Sequence, residues 1–92
     1  MRQRRSETRK PLVTRQAAIE QQIASLAHEK QALDLWLASA AAYTDEAKPR
    51  LIDATERTGA LTWSLARLEA EWLELGERLD ALDAAGDAVG EQ

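Results

Sequence analysis

Apolar residues recur in the first part of the chain at Leu12, Ile19, Leu26, Leu33 and Ala40, one every seven positions. A second row, Gln16, Ile23, Lys30 and Leu37, falls between them, so the two rows alternate by three and four. That repeat belongs to a helix that buries one narrow stripe against another helix. Farther along, Leu51, Thr58, Leu65, Trp72 and Leu79 form one row and Ala54, Leu61, Leu68, Leu75 and Leu82 the other. The first stretch has two polar interruptions, Gln16 and Lys30; the second has only Thr58. Pro11 and Pro49 are the only prolines, and each suits the first turn of a helix, where a missing N–H costs nothing. The pattern therefore predicts a first helix over 11–41, a corner at 42–48 and a second helix over 49–84. Residues 1–10 read as a basic, flexible connector. The glycines at 86 and 90 mark residues 86–92 as a disordered tail.

The fold class that follows is all-α, an antiparallel two-helix coiled-coil hairpin over residues 11–85. Its register is also predicted. If facing seam residues have numbers that total 91, every seam position finds a seam partner. Leu37 then faces Ala54, Leu33 faces Thr58, Leu26 faces Leu65, Ile23 faces Leu68, Ile19 faces Trp72 and Gln16 faces Leu75. A slip of one residue destroys the match on both rows. Ile19, Leu26, Leu65, Leu68, Trp72 and Leu75 are the expected packing anchors. Lys30 can lay its methylene stem in the seam and lift its ammonium out.

Composition narrows the class. The chain has 92 residues, 45% of them apolar, with 30% charged, no cysteine and one histidine. Disulfide scaffolds and zinc folds are excluded. No run of about 18 apolar residues is present, so no membrane span is expected, and the start lacks the apolar core of a signal peptide. A cytoplasmic setting is the expectation. The formal charge of −4 hides a strong asymmetry. Arg2, Arg4, Arg5, Arg9, Lys10 and Arg15 stand against Glu7 alone, giving +5 over residues 1–15 and leaving −9 for the rest. Folding the hairpin lays the basic arm beside the acidic turns after Glu69, so that part of its charge is answered within the molecule.

Candidate chemistry is sparse. His28 has Ala24, Ser25, Gln31 and Ala32 as helical neighbours, with no second ligand or carboxylate among them. Gly59, Gly76, Gly86 and Gly90 form no phosphate-cradling loop, and Ser6, Ser25, Ser39 and Ser64 have no nearby base. No catalytic, cofactor-binding or metal-ligating residue is assigned, and the chain reads as non-catalytic. What remains is a set of apolar residues outside the seam: Leu35, Trp36, Ile52, Trp63 and Leu73. Two readings stay open. Trp36 folds over Arg57 across the hairpin while Ile52 and Tyr43 cap the corner, or Trp36, Trp63 and Leu73 form a surface for a partner, including a second copy of the chain.

Certain landmarks resemble a known family. Lys10-Pro11-Leu12, followed by Ile19, Ile23, Leu26 and Leu33, a corner with Tyr43, and the closing Glu71-Trp72-Leu73-Glu74-Leu75 are similar to the C-terminal coiled-coil domain of the ABC-F, or Uup-like, ATP-binding cassette proteins. That family has a tyrosine in the corner and a W-x-x-L element in the second helix; the resemblance covers residues 8–84. It implies an accessory domain contacting DNA or ribosomal RNA, with its own ATPase domains as further partners and the ATP site outside this chain. Arg4 and Arg5 then correspond to the basic connector after the second ATPase domain, and Met1 is not the natural beginning. The charge of −9 beyond residue 15 departs from a uniformly basic hairpin. Phosphate contact is left to Arg2, Arg4, Arg5, Arg9, Lys10 and Arg15, with Lys48, Arg50 and Arg57 near the corner, and is expected to be weak and strongly salt-dependent.

Overall fold

In the computed structural model the backbone is described for residues 2–90 and the side chains for residues 7–85. Two helices, α1 (Arg2–Leu37) and α2 (Lys48–Gly90), are joined by a corner containing a 3-10 turn at Ala40–Tyr43. They pack along one another as a rod of 71 × 16 × 14 Å. This is the all-α helical hairpin that the two pairs of rows predict.

The helix ends differ from the expected ones. α1 does not begin at Pro11 but runs through it. Pro11 gives up one backbone hydrogen bond, ordinarily a cost of about 3 kcal/mol inside a helix. Two residues before it, Arg9 reaches across to Asp83 of α2 at 3.0 Å, tying the chain to the partner helix at that point. At the other end α1 stops at Leu37, not residue 41. The Ser39 hydroxyl donates to the Trp36 carbonyl at 2.6 Å, and the Tyr43 hydroxyl donates to the Leu37 carbonyl at 2.7 Å. The Trp36 carbonyl also accepts the Ser39 N–H at 3.0 Å, so two carbonyls of the last turn are satisfied without a continuing helix. Ala42 is wholly buried in the corner, whereas Ala40, expected in the seam, is exposed because the helix has already ended. Pro49 does occupy the first turn of α2, and the Ala47 carbonyl accepts the helical bond from Leu51 N–H at 2.8 Å. At the far end the helical backbone passes Gly86 and reaches Gly90; the side chains of 86–92 lie outside the described residues.

The predicted register is visible on one flank of the seam. Arg15 pairs with Glu71, Arg57 with Glu29, and Arg50 lies over Trp36. In all three the residue numbers total 86. Arg15 stands one residue before seam position Gln16, and Glu71 stands four before Leu75. A seam total of 91 therefore requires a flank total five lower, and a one-residue slip would change all three.

Burial follows the rows unevenly. Ala54, Leu61, Leu68 and Leu75 are all buried, as is Leu79, whereas Leu51, Leu65, Trp72 and Leu82 are half-buried. On α1, among the described residues, only Ile19 is fully enclosed, with Leu12, Ile23 and Leu26 half-buried around it. Ile19, Leu68 and Leu75 form the core cluster, and Leu12, Ile23, Leu26 and Trp72 pack against it. Trp72 is thus less an enclosed anchor than a lid on Ile19. Its indole N–H stays at the surface and donates to Glu20 at 2.9 Å, satisfying the polar edge of a ring that is otherwise packed. Lys30 behaves as its chain length suggests: half-buried stem, ammonium on Asp34 at 2.7 Å. Thr58 brings a buried hydroxyl into the seam without a partner.

Two substitutions test this description by urea unfolding. Ile19→Ala, at the fully enclosed site, is expected to cost about 2–5 kcal/mol. Gly59 is a contrasting case. It sits in the middle of α2 without a positive φ, and a Cβ added there meets nothing within 4 Å. Gly59→Ala is expected to raise stability by about 1 kcal/mol through helix propensity alone.

Candidate interaction surfaces

The cations singled out in the sequence fall into distinct environments. Arg2, Arg4 and Arg5 have side chains outside the described residues. Arg9 is bound to Asp83 and Arg15 forms a two-pronged pair with Glu71 at 2.8 and 3.2 Å. Arg57 forms a second two-pronged pair, with Glu29. Lys48 lies 3.7 Å from Asp45, three residues back. Arg50 stacks its guanidinium 4.3 Å from the centre of the Trp36 ring. Lys10 is exposed and has no partner among the described residues.

Trp36 therefore does fold against a cation across the hairpin, but the cation is Arg50 rather than Arg57. The flank pairing explains the exchange: Arg50 and Arg57 occupy equivalent positions one heptad apart, and Glu29 is the α1 residue opposite Arg57. Trp36 is half-buried by the contact, while Tyr43 closes the end of α1 and Ile52 stays exposed. Arg67 was not among the sequence candidates. It lies over the ring of Trp63 at 5.3 Å, a contact that the four-residue spacing on one helix face makes available.

The basic arm and the acidic base of the hairpin meet as expected, through Arg9–Asp83 and Arg15–Glu71. These pairs are open to water, where screening leaves an ion pair little net effect on stability. The Arg15 guanidinium, mainly by hydrogen bonding, holds the Glu71 carboxyl below the usual range, and Arg57 does the same to Glu29. Reciprocally, Arg15 and Arg57 are raised by the same hydrogen bonds. A phosphate approaching Arg9, Arg15 or Arg57 competes with a carboxylate already bound there, whereas one approaching Lys10 or Arg50 meets none.

Hollows on the rod are shallow. One of about 320 Å³ lies between Lys30, Asp34, Leu35 and Leu65; another of about 420 Å³ lies between Arg9, Gln16, Trp72, Gly76 and Asp83. Among the described residues no group of three His, Asp or Glu side chains could hold a metal ion, and His28 is exposed. None of the helices, over the described residues, is long and apolar enough to cross a membrane. The apolar residues left outside the seam remain uncovered: Leu35, Ile52, Trp63 and Leu73 are 68%, 59%, 67% and 58% exposed.

The lowered carboxyls give a signed expectation. A carboxylate whose folded pKa is depressed stabilises the fold above its unfolded value, and that contribution is lost as pH falls through the folded value. Stability is expected to fall as pH drops below the ordinary glutamate range of about 4.3. The double variant Glu29→Gln, Glu71→Gln should flatten that part of a urea-midpoint profile, and added salt should flatten it in the wild type. An acid limb as steep as the wild type's would show that these pairs do not contribute. Compared with protein families, curated proteins and solved structures, the chain matches none.

Proposed function

We propose that the chain is the C-terminal coiled-coil accessory domain of an ABC-F, Uup-like ATP-binding protein, and that it contacts DNA or ribosomal RNA while ATPase domains outside this chain hydrolyse ATP. The observation that carries the reading is the placement of the two aromatic landmarks on which the resemblance rests. Tyr43 sits in the corner with its hydroxyl on the Leu37 carbonyl, and Trp72 of the closing W-x-x-L element lies over the Ile19 cluster near the base. Both residues have structural roles that suit a hairpin of defined length: one sets where the first arm stops, the other holds the two arms together some 50 residues later in the chain, from Glu20 to Trp72.

The contact has two cationic regions at opposite ends of the rod. Near the base, Lys10 is open, and Arg9 and Arg15 are available at the loss of weak exposed pairs. Near the corner, Lys48 and Arg50 stand beside Trp36. The chain's part is to position these groups against phosphates; it carries no assigned step of ATP hydrolysis. Trp63 and Leu73 favour a second role as a protein-binding surface, since both are large, apolar and exposed on α2.

Fluorescence anisotropy with duplex DNA and with structured RNA tests the reading. Binding is expected at low salt, with a steep loss as salt rises. Lys10→Glu and Arg50→Glu should each weaken it and lower the salt slope by about one phosphate contact. No binding to either nucleic acid at low salt would overturn the contact. An upstream reading frame without an ATP-binding cassette would overturn the family assignment.

A further inference from the structure

The outward face of α2 carries a second heptad pattern that the hairpin does not use. Positions 52, 56, 59, 63, 66, 70, 73 and 77 alternate by four and three, and every one of them is exposed. Their occupants are Ile52, Glu56, Gly59, Trp63, Ala66, Ala70, Leu73 and Glu77. The middle of this line, Trp63-Ala66-Ala70-Leu73, is a continuous apolar seam with small residues at its centre and bulky ones at its ends. That is the arrangement two helices need in order to approach closely and interlock.

We propose that this face pairs with the same face of a second copy of the chain, the two α2 helices running antiparallel about a two-fold axis at residue 68. In that register facing residues total 136. Trp63 packs on Leu73 of the other copy, Ala66 on Ala70, and each contact occurs twice. Charge supports both the occupant and the direction. On the flank, Arg67 comes opposite Glu74 of the other copy, at a total of 141, five from the seam total as on the flank within the hairpin. Arg67 is already held beside the seam by its contact with Trp63, and Glu74 is exposed with no ion-pair partner among the described residues. A parallel pairing would lay Glu69, Glu74, Glu77 and Asp80 against their own copies. The antiparallel one lays them against residues 56–67, where Arg57 and Arg67 outnumber the single acid, Glu56, which faces Asp80.

Sedimentation equilibrium from micromolar to millimolar concentration tests the pairing, with circular dichroism to confirm that each variant stays helical. A monomer–dimer equilibrium is expected for the wild type. Trp63→Ala and Leu73→Glu should each weaken it by about tenfold or more, because every substitution acts twice. Arg67→Glu and Glu74→Arg should each weaken it as single changes, and the two together should restore it. The chain has no cysteine, so orientation can be read by a short thiol cross-linker. Ala60→Cys chains should link to Ala81→Cys chains and neither should link to itself. A wild type that stays monomeric at millimolar concentration, a dimer untouched by Leu73→Glu, or self-linking of Ala60→Cys would each overturn the proposal.

Discussion

Ile19 is the one side chain of α1 that water does not reach among the described residues, and Leu68 and Leu75 close over it from the other helix. A rod about 16 Å across has room for one such line of contact and no second layer behind it. Every other feature is arranged around that constraint. The seam must supply nearly all the burial, so a single register holds along its length and each arm must be a helix to present the seam at all. Half-buried leucines on α1 and fully buried ones on α2 share one layer, and Trp72 covers the cluster from the side that would otherwise be wet. Substitutions off this line fall where nothing packs, as the open space beside Gly59 illustrates.

The fold and its register could be read from the sequence because a two-helix rod is nearly one-dimensional. A period of seven specifies which side chains face inward, and two such rows leave few ways to pair. The flank contacts at Arg15–Glu71, Glu29–Arg57 and Trp36–Arg50 agree with the same alignment. Helix ends were harder to read, since they depend on capping rather than periodicity. Ala40 carries on the apolar row, yet the Ser39 and Tyr43 hydroxyls satisfy the carbonyls of Trp36 and Leu37 and end the helix before it. Pro11 reads as a beginning because nothing local reveals that Arg9 will find Asp83, 74 residues away. Trp36 has two arginines one heptad apart to choose between, and Glu29, by holding Arg57, leaves it Arg50. Among the candidate surfaces, the cations were legible one by one, but their occupancy by carboxylates was not.

Charge in this molecule is organised by the return of the chain on itself. Basic and acidic segments far apart in sequence lie side by side at the base of the rod, where Arg9 and Arg15 are bound to Asp83 and Glu71. The arm's +5 is thus partly neutralised before any partner arrives. Because exposed pairs are weak, the neutralisation is a filter rather than a block: a densely charged phosphate backbone can displace these carboxylates, while a single anion gains little by doing so.

The Tyr43 hydroxyl on the Leu37 carbonyl has a kinetic meaning as well. The corner closes the shortest loop in the hairpin, and each cross-helix contact farther along closes a longer one, up to the 74-residue separation of Arg9 and Asp83. Since the entropy of closure rises with loop length, though slowly, pairing near the turn is the cheapest to start. Loop closure thus favours pairing that starts at the corner, which sets where the first arm stops, and proceeds toward the base, where Ile19 locks it.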